Sequence, residues 1–218
     1  MVNLPVAVLG LGRFGEAVAV ELSKLGAPVL GLDRRAPVVQ RLAGRLSHVV
    51  VADTTDAEAL AEVSLEDYAC AVVAIGTDLE SSILTTSLVA EMGINDIWAK
   101  ALNREHARIL ERVGATNVVL PESEMGQRIA HQIRGRTLNF VKVADDWVEV
   151  ITKPPKEMCS APLDNDRLIR KYDVAVTAVK PEGAAHFEHV TSATRLGYSD
   201  RIAISGAPNA VDHFLRTR

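Results

Sequence analysis

The stretch "VAVLGLGRFGEA", residues 6–17, predicts how the first half of the chain folds. Four apolar residues lead into Gly10, Gly12 and Gly15, which have the G-x-G-x-x-G spacing. In this pattern the first glycine makes a tight turn, the second lets backbone approach a phosphate, and the third lets the next helix pack closely. A glycine turn that binds nothing is the alternative, but the helical pattern after the glycines favours a nucleotide. The predicted phosphate-binding residues are Gly10, Leu11, Gly12, Arg13, Phe14 and Gly15.

The composition is that of an ordinary globular protein. The chain has 218 residues, of which 48% are hydrophobic and 24% charged, and its net charge is −4. An acidic chain has no basic field for nucleic acid, so we expect no nucleic-acid partner. The longest apolar runs, such as "ACAVVAI", are far shorter than the roughly 20 residues that span a bilayer. We therefore expect a soluble, cytoplasmic protein.

Residues 1–134 alternate short apolar runs with amphipathic segments. Six runs have the length and composition of buried strands, and a helical pattern follows each of them. Right-handed crossovers between such units give a parallel sheet with strand order 3-2-1-4-5-6. The fold class is therefore predicted to be α/β, with a Rossmann-like doubly wound parallel sheet. The predicted strands are 6–9, 28–33, 48–52, 70–75, 96–100 and 117–120.

The pattern changes after residue 134. The segment "GRTLNF" (135–140) is typical of a hinge, and residues 138–218 mix short strands with two short helices. About 80 residues are enough for a compact second domain. We therefore predict a nucleotide-binding domain at 1–134 and a small α+β lobe at 138–218.

Asp33 ends the second predicted strand, where an acidic residue accepts hydrogen bonds from ribose hydroxyls. The alternative is an aspartate that only closes a turn. A carboxylate here also repels a 2′-phosphate, which favours NAD over NADP. Arg34 and Arg35 follow at once, and basic residues in this place leave NADP as a minor alternative.

Two further turns end at the same edge of the predicted sheet. Asp53 and Thr54 follow the third strand, where an adenine amino group would lie, although either residue is equally suited to cap a helix. After the fourth strand, backbone N–H groups of Ile75, Gly76 and Thr77 are placed to face the phosphates. We expect Asp78 to cap the next helix.

Three charged residues suggest more than a nicotinamide dinucleotide. Arg13 lies inside the glycine turn, where a guanidinium suits additional negative charge, or else it is an exposed helix residue. Lys100 ends the fifth strand and adds a second cation. Glu122 begins the sixth helix, where either the helix dipole or a divalent cation accounts for a carboxylate.

Three blocks of sequence resemble the RCK regulatory subunits of potassium transporters, of the KtrA and TrkA type. The similarity to the KtrA branch covers nearly all of residues 4–134, and the C-terminal lobe of the family is similar to residues 138–218. The blocks are "AVLGLGRFGEAVAVELSKLGAPVLGLD", "VVAIGTDLESSILTTSLVAEMGINDIWAKALN" and "VGATNVVLPESEMGQRIA".

The resemblance implies a cytosolic homodimer that assembles into an octameric ring beneath a membrane potassium-translocating subunit, similar to KtrB or TrkH. It implies that ATP favours the active ring and ADP the inactive one, while TrkA-like relatives also bind NAD or NADH. Asp33 would hold ribose, Arg13 would reach the γ-phosphate across the dimer, Lys100 would assist the phosphates, and Glu122 would help to bind Mg²⁺ or Ca²⁺. In some relatives the C-terminal lobe binds cyclic di-AMP.

A small NAD-dependent oxidoreductase is the alternative function. It would need a general acid or base beside the hydride site, and the last 80 residues offer no convincing Lys, His and Asp set for that role. The sequence therefore favours a regulatory protein, in which nucleotide is a signal rather than a reactant.

Overall fold

A computed structural model of the protein describes residues 4–135 and 137–216. Its contacts divide the chain into two compact units, of which one ends at Glu122 and the other begins at Ser123. The predicted domain limits, 1–134 and 138–218, remain predictions, and the predicted hinge includes Arg136, which lies outside the described residues. Within the described ranges, no helix has both the length and the apolar sequence that a bilayer span requires.

The first unit contains a six-stranded parallel sheet with helices between consecutive strands. The strands are β1 (Val6–Leu9), β2 (Val29–Asp33), β3 (His48–Val51), β4 (Cys70–Val73), β5 (Asp96–Lys100) and β6 (Asn117–Val119). The helices are α1 (Arg13–Lys24), α2 (Ala36–Leu42), α3 (Ala57–Glu62), α4 (Leu79–Glu91) and α5 (Arg104–Arg112). The strand order is β3-β2-β1-β4-β5-β6, which confirms the predicted topology.

Alternate residues of β1 pack on opposite faces of this sheet, as a strand buried on both sides requires. Ala7 and Leu9 belong to one hydrophobic core, and Val6 and Val8 belong to another. The predicted strands agree with the observed ones, except that four of them were expected to be one or two residues longer.

The register brings the ends of the strands to one edge. Leu9 lies opposite Leu32 on one side and Val73 on the other, so the turns after β1, β2 and β4 begin side by side. The same ladder places the last residues of β3 and β5 at this edge. In doubly wound folds, ligands bind in the crevice outside these carboxyl ends.

The second unit is built on a five-stranded antiparallel sheet with the order β10-β9-β11-β8-β7. Its strands are β7 (Asn139–Ala144), β8 (Trp147–Thr152), β9 (Val174–Lys180), β10 (Glu188–His189) and β11 (Arg201–Gly206). Helices α7 (Asn165–Tyr172) and α8 (Pro208–Arg216) pack on this sheet through a core that includes Leu168 and Phe214. Helix α6 (Pro121–Gly135) begins before the division between the units and lies mostly in the second.

Candidate functional site

The glycine turn has the geometry that its spacing predicts. Gly10 has a φ of +92°, a conformation that L side chains rarely adopt. A Cβ on Gly15 would lie 1.9 Å from the carbonyl oxygen of Gly10, so only glycine lets α1 come this close. A Cβ on Gly12 would meet nothing within 4 Å. The space beside Gly12 is therefore open to a ligand, while the two other glycines fix the shape of the turn.

Helix α1 presents its first backbone N–H groups at this turn. Gly12 is the N-cap and has no side chain with which to satisfy them. Gly12, Arg13 and Phe14 line a cleft of about 420 Å³ at the edge of the sheet. A helix N-terminus with unsatisfied N–H groups is suited to bind an anion. The structure thus places a potential phosphate site where the sequence predicts one.

Leu11 contributes through its backbone rather than its side chain. The side chain is completely buried in the core beside β1. Its N–H donates a hydrogen bond of 2.9 Å to Oδ2 of Asp33. Leu11 therefore ties the glycine turn to the end of β2.

Asp33 is 5% exposed and is held by Leu11 and Arg35. The backbone N–H of Arg35 donates to Oδ1 at 2.9 Å, and its guanidinium donates to Oδ1 at 3.0 Å and to Oδ2 at 3.1 Å. Burial alone would raise the pKa of Asp33, but these hydrogen bonds outweigh it, and the pKa of the carboxyl is lowered. Asp33 is consequently a buried, ionised carboxylate at the cleft.

Arg35 also lines the cleft, although the sequence predicted it only as a residue that tolerates NADP and not as a site residue. The sequence contains one signal for this role: Arg35 directly follows Arg34 and lies two residues after Asp33, the acidic end of β2. Both arginines line the cleft.

Asp53 and Thr54 adopt different roles at the end of β3. Asp53 is exposed in the cleft and accepts hydrogen bonds from the backbone N–H (3.0 Å) and hydroxyl (2.7 Å) of Thr55, which lower its pKa. Thr54 is buried and its hydroxyl lies 2.9 Å from that of Thr85. The helix-cap alternative for these two residues is wrong, because Asp56 caps α3.

The turn after β4 forms the opposite wall of the cleft. Ile75, Gly76 and Thr77 line it, as predicted from their place in the chain. Asp78 caps α4 by accepting a hydrogen bond from the N–H of Ser81, which confirms the expected cap.

Lys100 and Glu122 form an ion pair at the far end of the cleft. Lys100 Nζ lies 2.6 Å from Oε1 of Glu122 and 5.7 Å from the ring centre of Phe14. The Lys100 side chain is 11% exposed and that of Glu122 is 69% exposed. The hydrogen bond from Lys100 is the main reason that the pKa of Glu122 is lowered, and the charge of Arg13 contributes. The cleft therefore has a cationic end that is partly neutralised by one exposed carboxylate.

Most of the predicted site residues come together in this one cleft. Leu11 and Gly15 lie outside its lining but support it, as described above. No group of three or more His, Cys, Asp or Glu side chains that would hold a metal ion occurs among the described residues. The residues at the cleft are Gly10, Gly12, Arg13, Phe14, Asp33, Arg34, Arg35, Ala52, Asp53, Thr54, Ala74, Ile75, Gly76, Thr77, Asp78, Ser81, Lys100 and Glu122.

Comparison with known proteins agrees with this architecture. Residues 6–121 match the TrkA-N domain. The chain is 32% identical over 182 residues to the Ktr system potassium uptake protein A of Bacillus subtilis, covering 83% of this chain and 82% of that protein. It is 42% identical over 135 residues to the protein of the same name from Vibrio alginolyticus, covering 62% and 61%.

A solved structure shares the fold across both units. The GsuK RCK domain superposes with a TM-score of 0.55 at 20% identity, covering all of this chain and 48% of the other. The same protein has also been solved as the "GsuK channel bound to NAD". The chain therefore belongs to the TrkA-N family, as a KtrA-type RCK regulatory subunit.

Proposed function

We propose that this chain is the nucleotide-controlled gating subunit of a potassium transporter, in which ATP and ADP act as signals. One observation carries the proposal: a single cleft joins a buried carboxylate, Asp33, to an open glycine turn and to the cations of Arg13 and Lys100. Ribose hydroxyls suit the carboxylate, and a chain of phosphates suits the turn and the cations. The relatives named above are potassium uptake proteins, and they indicate that the process is potassium transport.

In this proposal each part of the nucleotide has a defined place. Ribose lies at Asp33, and the adenine extends toward Asp53 and Arg34. The first phosphates lie over Gly12 and beside the 75–77 turn. Further phosphate approaches Lys100 and Arg13, whose side chain is exposed enough to reach a neighbouring subunit. NAD or NADH would occupy the same turn in this chain; the GsuK channel, which shares the fold, has been solved bound to NAD.

A divalent cation at Glu122 is a finer part of the proposal. Hard cations such as Mg²⁺ and Ca²⁺ prefer carboxylate and phosphate oxygens. Glu122 is exposed enough to bind one, but it is paired with Lys100, and the described residues of one chain supply no cluster of further ligands. Phosphate oxygens, water or a second subunit would have to complete the coordination.

Assembly into a dimer, and from dimers into an octameric ring, is proposed through α6. Met125, Ile129 and Ile133 follow one another at four-residue intervals, which places them on one face of the helix. They are 49%, 47% and 76% exposed. An exposed apolar stripe of this kind is suited to bind a second copy of the same helix. The ring would then act at the cytoplasmic side of the membrane, on a KtrB- or TrkH-like translocating subunit.

The C-terminal lobe is proposed as a second ligand site, with cyclic di-AMP as the candidate. A cavity of about 120 Å³ lies beside α7, and its lining includes the cations of Arg167 and Lys171, the carboxylates of Glu157 and Asp164, and apolar residues. Ligand pockets usually measure about 300 Å³ or more. A dinucleotide would therefore need walls from a second copy of the lobe.

The experiment that tests the proposed function is a thermal unfolding panel with ATP, ADP, NAD, NADH, NADP and cyclic di-AMP. A ligand that binds only the native state raises the free energy of unfolding, by about 2.7 kcal/mol at 100 times its Kd. We expect ATP and ADP to raise the midpoint, each to a different extent. Absence of a shift with every adenine nucleotide would reject the proposal. Stabilisation by NADH alone, together with its oxidation by an added carbonyl substrate, would favour the oxidoreductase.

A further inference from the structure

The carboxylate of Asp33 has no acceptor position left for a ribose. An ionised carboxylate offers about four lone-pair positions on its two oxygens. Oδ1 accepts from the backbone N–H and from Nε of Arg35, and Oδ2 accepts from the Leu11 N–H and from Nη2 of Arg35. Two ribose hydroxyls cannot donate to Asp33 unless two of these four donors leave.

Two of the four donors are fixed and two are mobile. The N–H groups of Leu11 and Arg35 belong to the backbone of the glycine turn and of the turn that opens α2. The guanidinium of Arg35, in contrast, is on a side chain that is 57% exposed. When it rotates away, one acceptor position opens on Oδ1 and one on Oδ2. This is the arrangement that a pair of neighbouring hydroxyls requires.

We infer that Arg35 is a specificity-determining residue that competes with the ribose hydroxyls of the nucleotide for Asp33. The inference rests on the proposed role of Asp33 as the ribose acceptor. Only a ligand with both hydroxyls replaces both bonds that the guanidinium gives up. A nucleotide that lacks both hydroxyls leaves the guanidinium in place. Arg35 therefore lowers the affinity for nucleotides with a complete ribose and reduces their advantage over nucleotides that lack the hydroxyls.

Arg34 is the matched comparison for Arg35. It carries the same charge, lines the same cleft and precedes Arg35 directly. Its charge acts on Asp53 and Asp78, whose pKa values it helps to lower. It contributes none of the four hydrogen bonds to Asp33. A difference between the two variants in their preference for a complete ribose therefore reports the competition and not the charge.

The expected effect is modest because the guanidinium is exposed to solvent. Ion pairs with an exposed partner contribute little, and the loss of such a competitor corresponds to about two- to fivefold in affinity. Alanine at position 35 keeps the backbone N–H that donates to Oδ1, so the turn retains one of its own bonds to Asp33. The variant is therefore expected to fold.

The experiment measures calorimetric affinities of the full chain for ADP and for 2′,3′-dideoxy-ADP. The proteins are the wild type, Arg35→Ala, Arg34→Ala and Asp33→Ala. We expect Arg35→Ala to raise the preference for ADP over the dideoxy nucleotide about two- to fivefold above that of the wild type. Arg34→Ala should leave this preference unchanged, because the adenine and the phosphates are the same in both nucleotides. Asp33→Ala should bind both nucleotides weakly and without discrimination.

Two negative results have different meanings. If the wild type prefers ADP and Asp33→Ala loses that preference, but Arg35→Ala shows no greater preference for ADP than the wild type and Arg34→Ala do, only the competition by Arg35 is refuted. If neither the wild type nor Asp33→Ala distinguishes the two nucleotides, the ribose role of Asp33 is refuted, and the inference about Arg35 with it.

Discussion

Asp33 and Glu122 both bring a carboxylate to the cleft, but their surroundings differ in almost every respect. Asp33 is 5% exposed and accepts two hydrogen bonds from backbone N–H groups, whereas the Glu122 side chain is 69% exposed and is paired with one lysine. The Asp33 carboxylate is therefore part of the buried structure, whereas the Glu122 carboxylate lies at the protein surface. Under the proposed function, the Asp33 end recognises the ribose that all adenine nucleotides share, and the Glu122 end responds to the phosphates that distinguish them.

The pKa shifts express the same contrast. Both carboxyl groups have a lowered pKa, but Asp33 has it despite burial, and Glu122 chiefly because of Lys100. A lowered native pKa stabilises the folded protein above the unfolded-state pKa, and this stabilisation is lost as the pH falls through the native pKa. At neutral pH both carboxyl groups are ionised, so Asp33 and Glu122 differ in burial and in their hydrogen-bond partners and not in their own charge.

The largest effect on stability is expected from substitutions in the glycine turn, which lies between the Asp33 end and the Glu122 end of the cleft. Gly15→Ala would put a Cβ 1.9 Å from the Gly10 oxygen and 2.9 Å from the Ala74 Cβ, so we expect a loss of about 3 kcal/mol or complete failure to fold. The matched variant is Gly12→Ala, whose Cβ has open space and whose φ of −68° suits alanine. It should remain within about 1 kcal/mol of wild type.

Urea unfolding and ADP titration together test this pair. Gly12→Ala should unfold normally yet bind ADP poorly, since its methyl group occupies the space proposed for phosphate. Normal binding by Gly12→Ala would place the phosphates elsewhere. A stable Gly15→Ala would mean that the turn relaxes more easily than its close contacts indicate.

These glycines also show what the sequence can predict. Their spacing, the apolar run before them and the six repeats of strand and helix gave the sheet order correctly, because these features follow from local pattern and the handedness of crossovers. The edge at which Asp33, Asp53 and Lys100 gather follows from that order. Such reasoning needs no knowledge of side-chain conformations.

Side-chain pairing was less accessible to sequence reasoning. That Arg35 and not Arg34 holds Asp33 depends on rotamers at the start of α2, which sequence spacing does not determine. The sequence left open whether Asp53 or Thr54 caps α3. Asp53, Thr54 and Asp56 are all good capping residues, and only the backbone path selects Asp56. The ion pair between Lys100 and Glu122 joins residues 22 apart in the chain, and no local pattern indicates it.

An intermediate effect is expected from substitution of Arg13, which tests whether the Glu122 end distinguishes nucleotides by their number of phosphates. Arg13→Ala should weaken ATP more than ADP and bring the two affinities about tenfold closer, because a guanidinium bonded to a third phosphate is worth roughly 1.5–3 kcal/mol. Lysine should restore part of the difference, since it keeps the charge without the planar fork. Calorimetric titrations with both nucleotides provide the measurement.

Arg34→Ala is the control for Arg13, because it removes the same charge at the Asp33 end of the cleft. It should change the affinities for ATP and ADP by similar factors. Small-angle scattering adds a second measurement: an ATP-specific change in the shape of the assembly should be reduced in Arg13→Ala only. Equal losses of ATP and ADP affinity, with the shape change intact, would mean that Arg13 is an ordinary solvated helix residue.

The smallest effect is expected from Glu122→Gln, which tests whether the Glu122 end responds to divalent cations. The variant should lose less than about 1 kcal/mol of stability, because Glu122 is exposed and its pair with Lys100 is screened by solvent. ATP should still bind. Addition of Mg²⁺ or Ca²⁺ should raise ATP affinity in the wild type but not in the variant, since an amide lacks the charge that a hard cation requires.

Glu124→Gln serves as the control, because it removes the same charge from the same helix at a position that does not line the cleft. ATP titrations of both variants, with and without each divalent ion, separate the two roles considered for Glu122. If only Glu122→Gln loses the cation response, the carboxylate binds the ion together with the phosphates. If both variants keep the response, Glu122 interacts only with the helix dipole and with Lys100. The Glu122 end of the cleft then responds to nucleotides through its cations alone.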